Sequence, residues 1–440
     1  MSVAGMARAV RESVSGLPRE FWWLWTSTLV NRLGAFVSTF MAMYLTVERG
    51  YSAAYAGLVA SLYGLGSIVA AIGAGVMADR LGRRPTLVVA QASTAVSVAL
   101  LGFMEHPVAI AAVACLVGVA SNASRPAVLA MMADLLPPED RVRAFSLNYW
   151  ALNLGFALSA AGAGFVAEYS YLAGFLGEAV LTMVCAVLVF VKIPETRPAA
   201  EGGVAGAGAA KGDPGGEPSV GLGTVLRDGR FMSVVGLSFL VSLVLQQGGV
   251  ALPIVMGEEG FSSSDYGTVI ALNGLLIVAL QIPVTRFIQH REPRGPLVVS
   301  ALLAGYGFGL TAFAGSSMAL YAVAVLVWTL GEMINSPTEA GLVARLSPTR
   351  GRGRYQGMYT MAWGVAAMLA PLVSGTVIDR LGAGWLWALC AAIGSVAAVG
   401  FWVLLRRLPM DVVENQNNQN TVLVSQSPTT GGQKAEAQPA

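Results

Sequence analysis

GVMADRLGRRP, residues 75–85, closes one apolar run of the chain and opens the next. The runs on either side of it, 54–78 and 86–104, contain no charged residue, and each has about the 20 residues that a helix needs to cross a bilayer. Hydrophobic residues make up 55% of the sequence and charged residues 12%, whereas soluble proteins are roughly a quarter charged. These features indicate a protein whose main partner is the lipid bilayer.

Apolar runs of this length recur along the whole chain, separated by short clusters of charge, glycine and proline. They predict an all-α membrane protein with twelve transmembrane helices. The predicted spans are 20–46, 54–78, 86–104, 107–133, 144–167, 171–192, 231–256, 266–288, 296–314, 318–344, 355–378 and 384–405.

The basic residues indicate the orientation of the helices. With the N-terminus placed in the cytoplasm, most of the 27 Lys and Arg fall in cytoplasmic segments, and outer loops hold only Arg49 and Arg380. Because short cytoplasmic loops are the ones that retain basic residues, we expect both termini on the cytoplasmic side of the cell membrane. The net charge of +2 reflects this topology and gives no indication of nucleic-acid binding.

Two polar stretches divide the chain. The first, within 193–230, is rich in Gly, Ala and Pro and has the composition of a flexible linker. The polar end of the chain is typical of a disordered tail. The predicted organisation is a cytoplasmic segment, a six-helix bundle, a linker, a second six-helix bundle and a tail, at 1–19, 20–192, 193–230, 231–406 and 407–440.

The two halves align with one another at an offset of 211 residues. Three proline pairs match without a gap: Pro85 with Pro296, Pro126 with Pro337, and Pro137 with Pro348. Several basic residues match at the same offset, among them Arg80 with Arg291. This pattern predicts two parallel six-helix repeats, an arrangement typical of transporters that rock two bundles around a central site.

The stretch quoted above resembles the loop signature of the major facilitator superfamily, and the matching residues are Gly75, Asp79, Arg80, Gly82, Arg83 and Arg84. The resemblance implies that this loop holds the bundles together at the cytoplasmic face when the transporter faces outward. We expect the Asp79 carboxylate to accept hydrogen bonds from the N-terminus of a facing helix, and Gly82 to permit the turn.

Within that superfamily the chain most resembles the proton-coupled multidrug efflux antiporters. Arg32 lies in the middle of the first span and Glu332 in the middle of the tenth, as in a subset of those proteins. The chain departs from their signature in the fifth span, where Ser159 and Ala160 stand in place of the usual Gly-Pro pair.

Glu332 is the leading candidate for a functional residue. A charge at the bilayer centre costs about 2.5–3.5 kcal/mol on insertion scales and almost always faces a cavity or a partner. Trp328, Glu332, Asn335 and Glu339 are predicted to share one helix face. We interpret Glu332 as a group that exchanges a proton for a cationic substrate, with Trp328 offering a ring face to the cation. The alternative is a structural glutamate bonded to a neighbouring helix.

Further polar candidates lie within other spans. Arg32 needs an anionic or carbonyl partner at its depth, and either a functional or a structural role would supply one. Arg125 is equally a functional candidate or a structural residue that pairs with Asp134 or with carbonyl groups. Glu178 and Asn273 are interpreted as structural. The remaining candidates for proton coupling or substrate binding are Asn122, Gln246 and Gln247.

Other functional classes lack their motifs. The sequence has neither a phosphate-binding G-x-x-x-x-G-K-[ST] loop nor a G-x-S-x-G nucleophile motif, so an ATP-driven pump and a membrane hydrolase are excluded. We predict a secondary transporter, without cofactor or metal, that works by alternating access as a monomer. The favoured activity is proton-driven efflux of lipophilic or cationic drugs. The alternative is a proton-coupled symporter that imports a small metabolite, sugar or peptide.

Overall fold

The computed structural model describes residues 16–196, 222–289, 291–348 and 352–406. Within them, side chains are not described for 71, 72, 74–76, 78, 79, 138, 139, 141, 142, 352 and 353. Every regular element in the described ranges is a helix. The predicted linker falls mostly on 197–221 and the predicted tail on 407–440, so both lie outside the described residues.

The first half of the chain contains α1 to α7. Their bounds are α1 Arg19–Leu33, α2 Val37–Met43 followed by a π-helical turn Tyr44–Glu48, α3 Ala53–Leu81, α4 Arg83–Gly102, α5 Pro107–Leu135, α6 Pro138–Tyr169 and α7 Tyr171–Lys192.

The second half contains α8 to α15. Their bounds are α8 Leu222–Arg227, α9 Gly229–Leu245 followed by a 3-10 turn Gln246–Gly249, α10 Ala251–Glu258, α11 Ser263–Ile288, α12 Arg294–Leu310 followed by a 3-10 turn Thr311–Phe313, α13 Met318–Leu346, α14 Arg352–Leu381 and α15 Ala383–Arg406.

Eleven helical runs in the described ranges are long and apolar enough to cross a membrane, and they correspond to the second to twelfth predicted spans. The prediction of one continuous helix over the first span, 20–46, is wrong. The span is two shorter helices, α1 and α2, because the backbone leaves the helical pattern at residues 34–36. The amide of Val37, freed by this break, donates instead to the Glu178 carboxylate of α7.

Helix packing follows the predicted repeat. In the first bundle, the extensive contacts join α1 with α6 and α7, α3 with α5, and α4 with α5 and α7. In the second bundle, the equivalent helices make the same contacts: α9 with α14 and α15, α11 with α13, and α12 with α13 and α15. The chain is therefore two six-helix bundles with one packing scheme, as predicted.

The bundles meet along two helix pairs, α3 with α14 and α6 with α11. A Cβ atom on Gly57 would collide with the Pro371 carbonyl oxygen, and one on Gly164 would lie 2.8 Å from the Ser263 backbone carbonyl oxygen. Both contacts lie where α3 and α11 begin and where α6 and α14 end. We call this the contact end of the molecule, and the opposite end, where α1 begins and α7 ends, the linker end.

Pro337 interrupts the hydrogen bonding of α13 because proline has no backbone N–H. The carbonyl of Met333 therefore lacks its usual helical donor. Gln281 of α11 supplies one, with its Nε2 lying 3.1 Å from the Met333 oxygen. Between Glu332 and Glu339, α13 thus has a backbone carbonyl that bonds to a side chain of the neighbouring helix α11.

Candidate functional site

A cavity of about 690 Å³ lies between the bundles. It is lined by α1, α2, α4, α5 and α6 on one side and by α9, the turn after α9, α11 and α13 on the other. Three lining residues toward the linker end, Leu129, Phe145 and Tyr149, are 40%, 36% and 49% exposed. Tyr266, toward the contact end, is fully buried. The cavity therefore opens to the linker end and is closed at the contact end.

Glu332 lines this cavity, as the sequence predicts. Its Oε2 accepts a hydrogen bond of 3.0 Å from Asn273 Nδ2 of α11. The same amide lies 3.1 Å from Thr329 Oγ1, one turn earlier on α13. Asn273 itself lines the cavity, so its interpretation as a purely structural residue missed its contact with the carboxylate. Among the described residues, no cation forms a salt bridge with Glu332.

Arg32 and Arg125 line the first-bundle wall of the same cavity. The Arg32 guanidinium carbon lies 5.2 Å above the centre of the Phe156 ring. Arg125 is exposed. The alternative that Arg125 pairs with Asp134 is wrong, because Asp134 Oδ2 lies 3.1 Å from Arg83 Nε at the linker end.

Glu178 of α7 is a partly buried carboxylate beside the break in the first span. Its Oε2 lies 2.7 Å from the backbone nitrogen of Val37. A carboxylate at this place acts as an N-terminal cap for α2. Glu178 thus stabilises the break in the first span, which agrees with the structural role expected for it.

Trp328 lines the cavity, although its side chain is only 4% exposed. Its ring stacks on Phe308 with centroids 5.1 Å apart and planes at 15°. Gly307 allows α12 to approach α13 closely at Trp328, since a Cβ on Gly307 would lie 2.6 Å from the backbone nitrogen of Trp328. One ring face is therefore taken by Phe308, and the prediction of an open aromatic face for a cation holds for at most the other.

Asn122 and Gln246 line the cavity, in agreement with their prediction as central polar groups. Asn122 Nδ2 is held by Ser67 Oγ at 2.7 Å. Gln247 is directed elsewhere, because its amide oxygen accepts from Ser374 of α14.

Asn335 is buried against α12 and does not line the cavity. Its side-chain oxygen accepts a hydrogen bond of 3.1 Å from Ser300. The predicted shared face of α13 therefore divides: Trp328 and Glu332 reach the cavity, whereas Asn335 and Glu339 lie in the interior of the second bundle.

Polar side chains of α6 that were not predicted as site residues also line the cavity. Asn148, Tyr149 and Asn153 all line the cavity, and their recurrence within one apolar helix was the signal that could have identified them. Gln91 of α4 also reaches the lining. It sits among residues otherwise typical of a buried helix, so its position in the sequence carries little information.

The sequence motif at 75–85 is helical further than predicted. Helix α3 continues to Leu81, so Gly75, Asp79 and Arg80 belong to it. The side chain of Asp79 and the surroundings of Gly75 lie outside the described residues. Gly82 has a φ of 107°, a conformation that favours glycine, as the predicted turn requires.

The basic residues of the motif contact the first bundle in this conformation. The backbone nitrogens of Arg83 and Arg84 lie 2.9 and 3.2 Å from the two Glu195 carboxylate oxygens. The Arg84 guanidinium lies 4.8 Å above the Phe190 ring. The Glu195 side chain, which was not among the predicted site residues, thus accepts hydrogen bonds from the first backbone amides of α4.

A comparison with protein-family models identifies the family of this chain. The Major Facilitator Superfamily model matches residues 24–350 and again 249–434. The chain belongs to the Major Facilitator Superfamily. It is therefore a multi-pass membrane protein and a secondary transporter of small molecules, not an enzyme.

Known relatives of the transporter are distant but span its length. A Na(+), Li(+), K(+)/H(+) antiporter of Planococcus maritimus is 25% identical over 398 residues, covering 84% of this chain and 91% of that protein. The multidrug resistance protein MdtH of Klebsiella pneumoniae is 24% identical over 380 residues, covering 81% and 86%. The solved nucleoside transporter NupG superposes with a TM-score of 0.73 at 15% identity, covering 88% and 100%, a likeness of fold alone.

Proposed function

We propose that this transporter exports lipophilic cations in exchange for protons. The observation that carries the proposal is the Glu332 carboxylate in the cavity wall, held by the neutral amide of Asn273 at 3.0 Å and by no basic side chain within the described ranges. A carboxylate at this depth is costly when charged and unpaired. It therefore binds either a proton or a positively charged group.

Exchange follows because Glu332 binds only one of these two ligands at a time. One carboxylate cannot hold a proton and balance an organic cation at the same time, so each ligand displaces the other. A transporter with such a site couples inward proton flow to outward cation flow when the site alternates between the two sides of the membrane. The proton and the substrate are the small partners that this proposal requires.

The shape and lining of the cavity favour a lipophilic substrate. Its volume of about 690 Å³ lies in the range of pockets that hold drug-sized ligands. Phe145, Leu152, Phe156, Ile270 and Ile277 supply apolar surface around the polar groups.

Basic residues at the linker end support a cytoplasmic location for that end. Arg83, Arg143 and Arg294 lie at helix ends there, and cytoplasmic loops are the ones that retain Lys and Arg. With this orientation, both termini are cytoplasmic and the cavity described above is open to the cytoplasm, ready to take up a substrate for export. The names of the two relatives, a multidrug resistance protein and a cation/proton antiporter, support the same direction.

A second candidate, proton-coupled import of a small metabolite, rests on the arginines. Arg32 and Arg125 place two positive charges on the first-bundle wall while Glu332 places one negative charge on the second. A substrate with both an anionic and a cationic group, such as a peptide, would satisfy both walls.

Flux in proteoliposomes separates the two candidates. The purified protein is reconstituted, and a cationic dye or a zwitterionic dipeptide is followed while the pH gradient is set in either direction. Antiport predicts that the dye accumulates in the compartment that is initially more acidic. Symport predicts that the dipeptide moves together with protons into the more alkaline compartment. Dye flux that is the same for both directions of the pH gradient contradicts the proposal.

A further inference from the structure

A second buried carboxylate lies inside the second bundle, away from the cavity. Glu339 is on α13, two turns beyond Glu332 and thus about 10 Å further along the helix axis. Its side chain is 0% exposed, and it is absent from the cavity lining. Nothing in the proposed exchange at Glu332 uses this group.

Polar groups from three helices surround the Glu339 carboxylate. The Tyr359 hydroxyl of α14 lies 2.9 Å from Glu339 Oε2. Ser238 of α9, Asn335 of α13 and Trp363 of α14 face the same carboxylate. Ser238 Oγ, Asn335 Nδ2, Trp363 Nε1 and Glu339 Oε1 are all buried and complete no hydrogen bond of normal geometry among the described residues.

This arrangement is expensive for a purely structural cluster. A carboxylate is costly to bury in its charged form, and no basic side chain of the described residues pairs with Glu339. Leucine or phenylalanine at these positions would fill the same space without that cost. Uptake of a proton by Glu339 would remove the cost of burying its charge.

The donor set selects the proton over a metal ion. The Tyr359 O–H, the Trp363 N–H and the Asn335 amide N–H₂ are donors, and their hydrogens would face a metal cation, whereas sodium, calcium and magnesium bind to oxygen acceptors. The same groups are compatible with proton binding. The oxygens of the charged carboxylate can accept hydrogen bonds from these donors, and the O–H of the neutral acid can donate to Ser238 Oγ.

A row of polar side chains leads from the cluster toward the linker end. Tyr355 precedes Tyr359 by one turn on α14, and its hydroxyl lies 3.1 Å from Asp228 Oδ2. Asp228 caps the start of α9, where its Oδ1 lies 3.0 Å from the Phe231 nitrogen. Tyr359, Tyr355 and Asp228 are titratable groups on this route among the described residues.

We propose that Glu339 is a second proton-binding site, located within the second bundle and reached from the linker end past Tyr355 and Tyr359. The inference rests on the proposed proton coupling and extends it. Protonation of Glu339 acts on the rearrangement of the second bundle and leaves substrate binding at Glu332 unchanged. The carboxylate gains and loses one proton per event, and no other bond changes.

The test compares Glu339→Gln and Tyr359→Phe with a control variant, Thr338→Val. Thr338 lies on the same helix as Glu339, and its hydroxyl donates to the backbone carbonyl of Ile334 on that helix. Three quantities are measured in each variant: affinity for a cationic dye, dye exchange at equal pH on both sides, and dye transport driven by a pH gradient. We expect affinity and exchange to stay within about twofold in Glu339→Gln, and driven transport to fall by roughly tenfold or more. Equal loss of exchange and driven transport would show a structural role and overturn the inference.

A readout independent of transport keeps this inference apart from the proposed function. Infrared difference spectra between acid and alkaline pH report the protonated carboxyl group directly. We expect one carboxyl band to disappear in Glu339→Gln and to remain in Thr338→Val. If the wild type shows this band but no gradient-driven transport, the antiport proposal fails and the proton site stands. If Glu339→Gln leaves every band in place, the proton site is overturned.

Discussion

The Asp379 carboxylate of the second bundle binds the first turn of α3 in the first bundle. Asp379 Oδ2 lies 2.8 Å from the Ala54 nitrogen, and Oδ1 lies 3.0 Å from the Ala53 nitrogen. A carboxylate at a helix N-terminus satisfies free N–H groups and interacts favourably with the helix dipole. Because α3 and α14 belong to different bundles, this contact closes the contact end.

Asp379→Asn removes the charge while keeping the size of the side chain. The charge contributes about 0.3–1 kcal/mol at an exposed helix terminus, so the variant should shift the population toward an open contact end. Spin labels at Val108 and Phe313, both exposed at that end, would report longer distances. Glu168→Gln, an exposed carboxylate at the same end, serves as control. Unchanged distances in Asp379→Asn would remove this latch from the account.

Gly57 sets how closely α3 approaches α14. A Cβ there would collide with the Pro371 carbonyl, whereas a Cβ on Gly73 of the same helix meets no atom within 4 Å. Gly57→Ala should therefore destabilise the closed contact end by about 1–3 kcal/mol, and Gly73→Ala should not. The same spin-label distances measure both variants. Equal behaviour of the two alanines would contradict a role for close packing at Gly57.

Trp328 should matter for packing as well as for binding. Because its ring stacks on Phe308 and is only 4% exposed, Trp328→Ala should lower the free energy of unfolding by about 3–5 kcal/mol. Trp328→Phe keeps the stacking and should lose less. Thermal unfolding in detergent, with dye affinity on the folded fraction, separates the effects. Full stability of Trp328→Ala would contradict the packing role.

Asp79 remains a predicted latch of the opposite, linker-end-closed state. Asp79→Asn should favour the conformation described here, with the cavity open to the linker end, by roughly 1 kcal/mol. Distances across the linker end, between labels on the two bundles, should lengthen. Glu195→Gln, which alters a cap within the first bundle, should leave these distances unchanged. Wild-type distances in Asp79→Asn would remove the role.

The fold was largely predictable because its determinants are local and repeated. Apolar runs located the second to twelfth spans, and the offset between Pro126 and Pro337 identified the two bundles. The break in the first span was not predictable, because Glu178, which caps α2, lies 141 positions from Val37. A residue so distant in sequence leaves no signal in the broken segment itself.

The site was only partly predictable. Depth within a span was enough to select Glu332, Arg32 and Asn122, because a polar group at the centre of a membrane helix is costly. Helix periodicity did not decide which neighbour each group faces. Asn335 faces Ser300 rather than the cavity, and Asn273, set aside as structural, contacts Glu332. Such pairings depend on how the helices are rotated against one another.

Glu332 is proposed to hold either a proton or the substrate cation. The affinity for a cationic dye, measured as a function of pH in wild type and in Glu332→Gln, tests this exchange. Charged Glu332 favours the cation, so wild-type affinity should fall as the pH drops and the carboxylate takes up its proton. Glu332→Gln should bind more weakly by about 1–3 kcal/mol, roughly tenfold to a hundredfold, without that pH dependence. Glu168→Gln should behave as wild type. Wild-type affinity and wild-type pH dependence in Glu332→Gln would contradict the account.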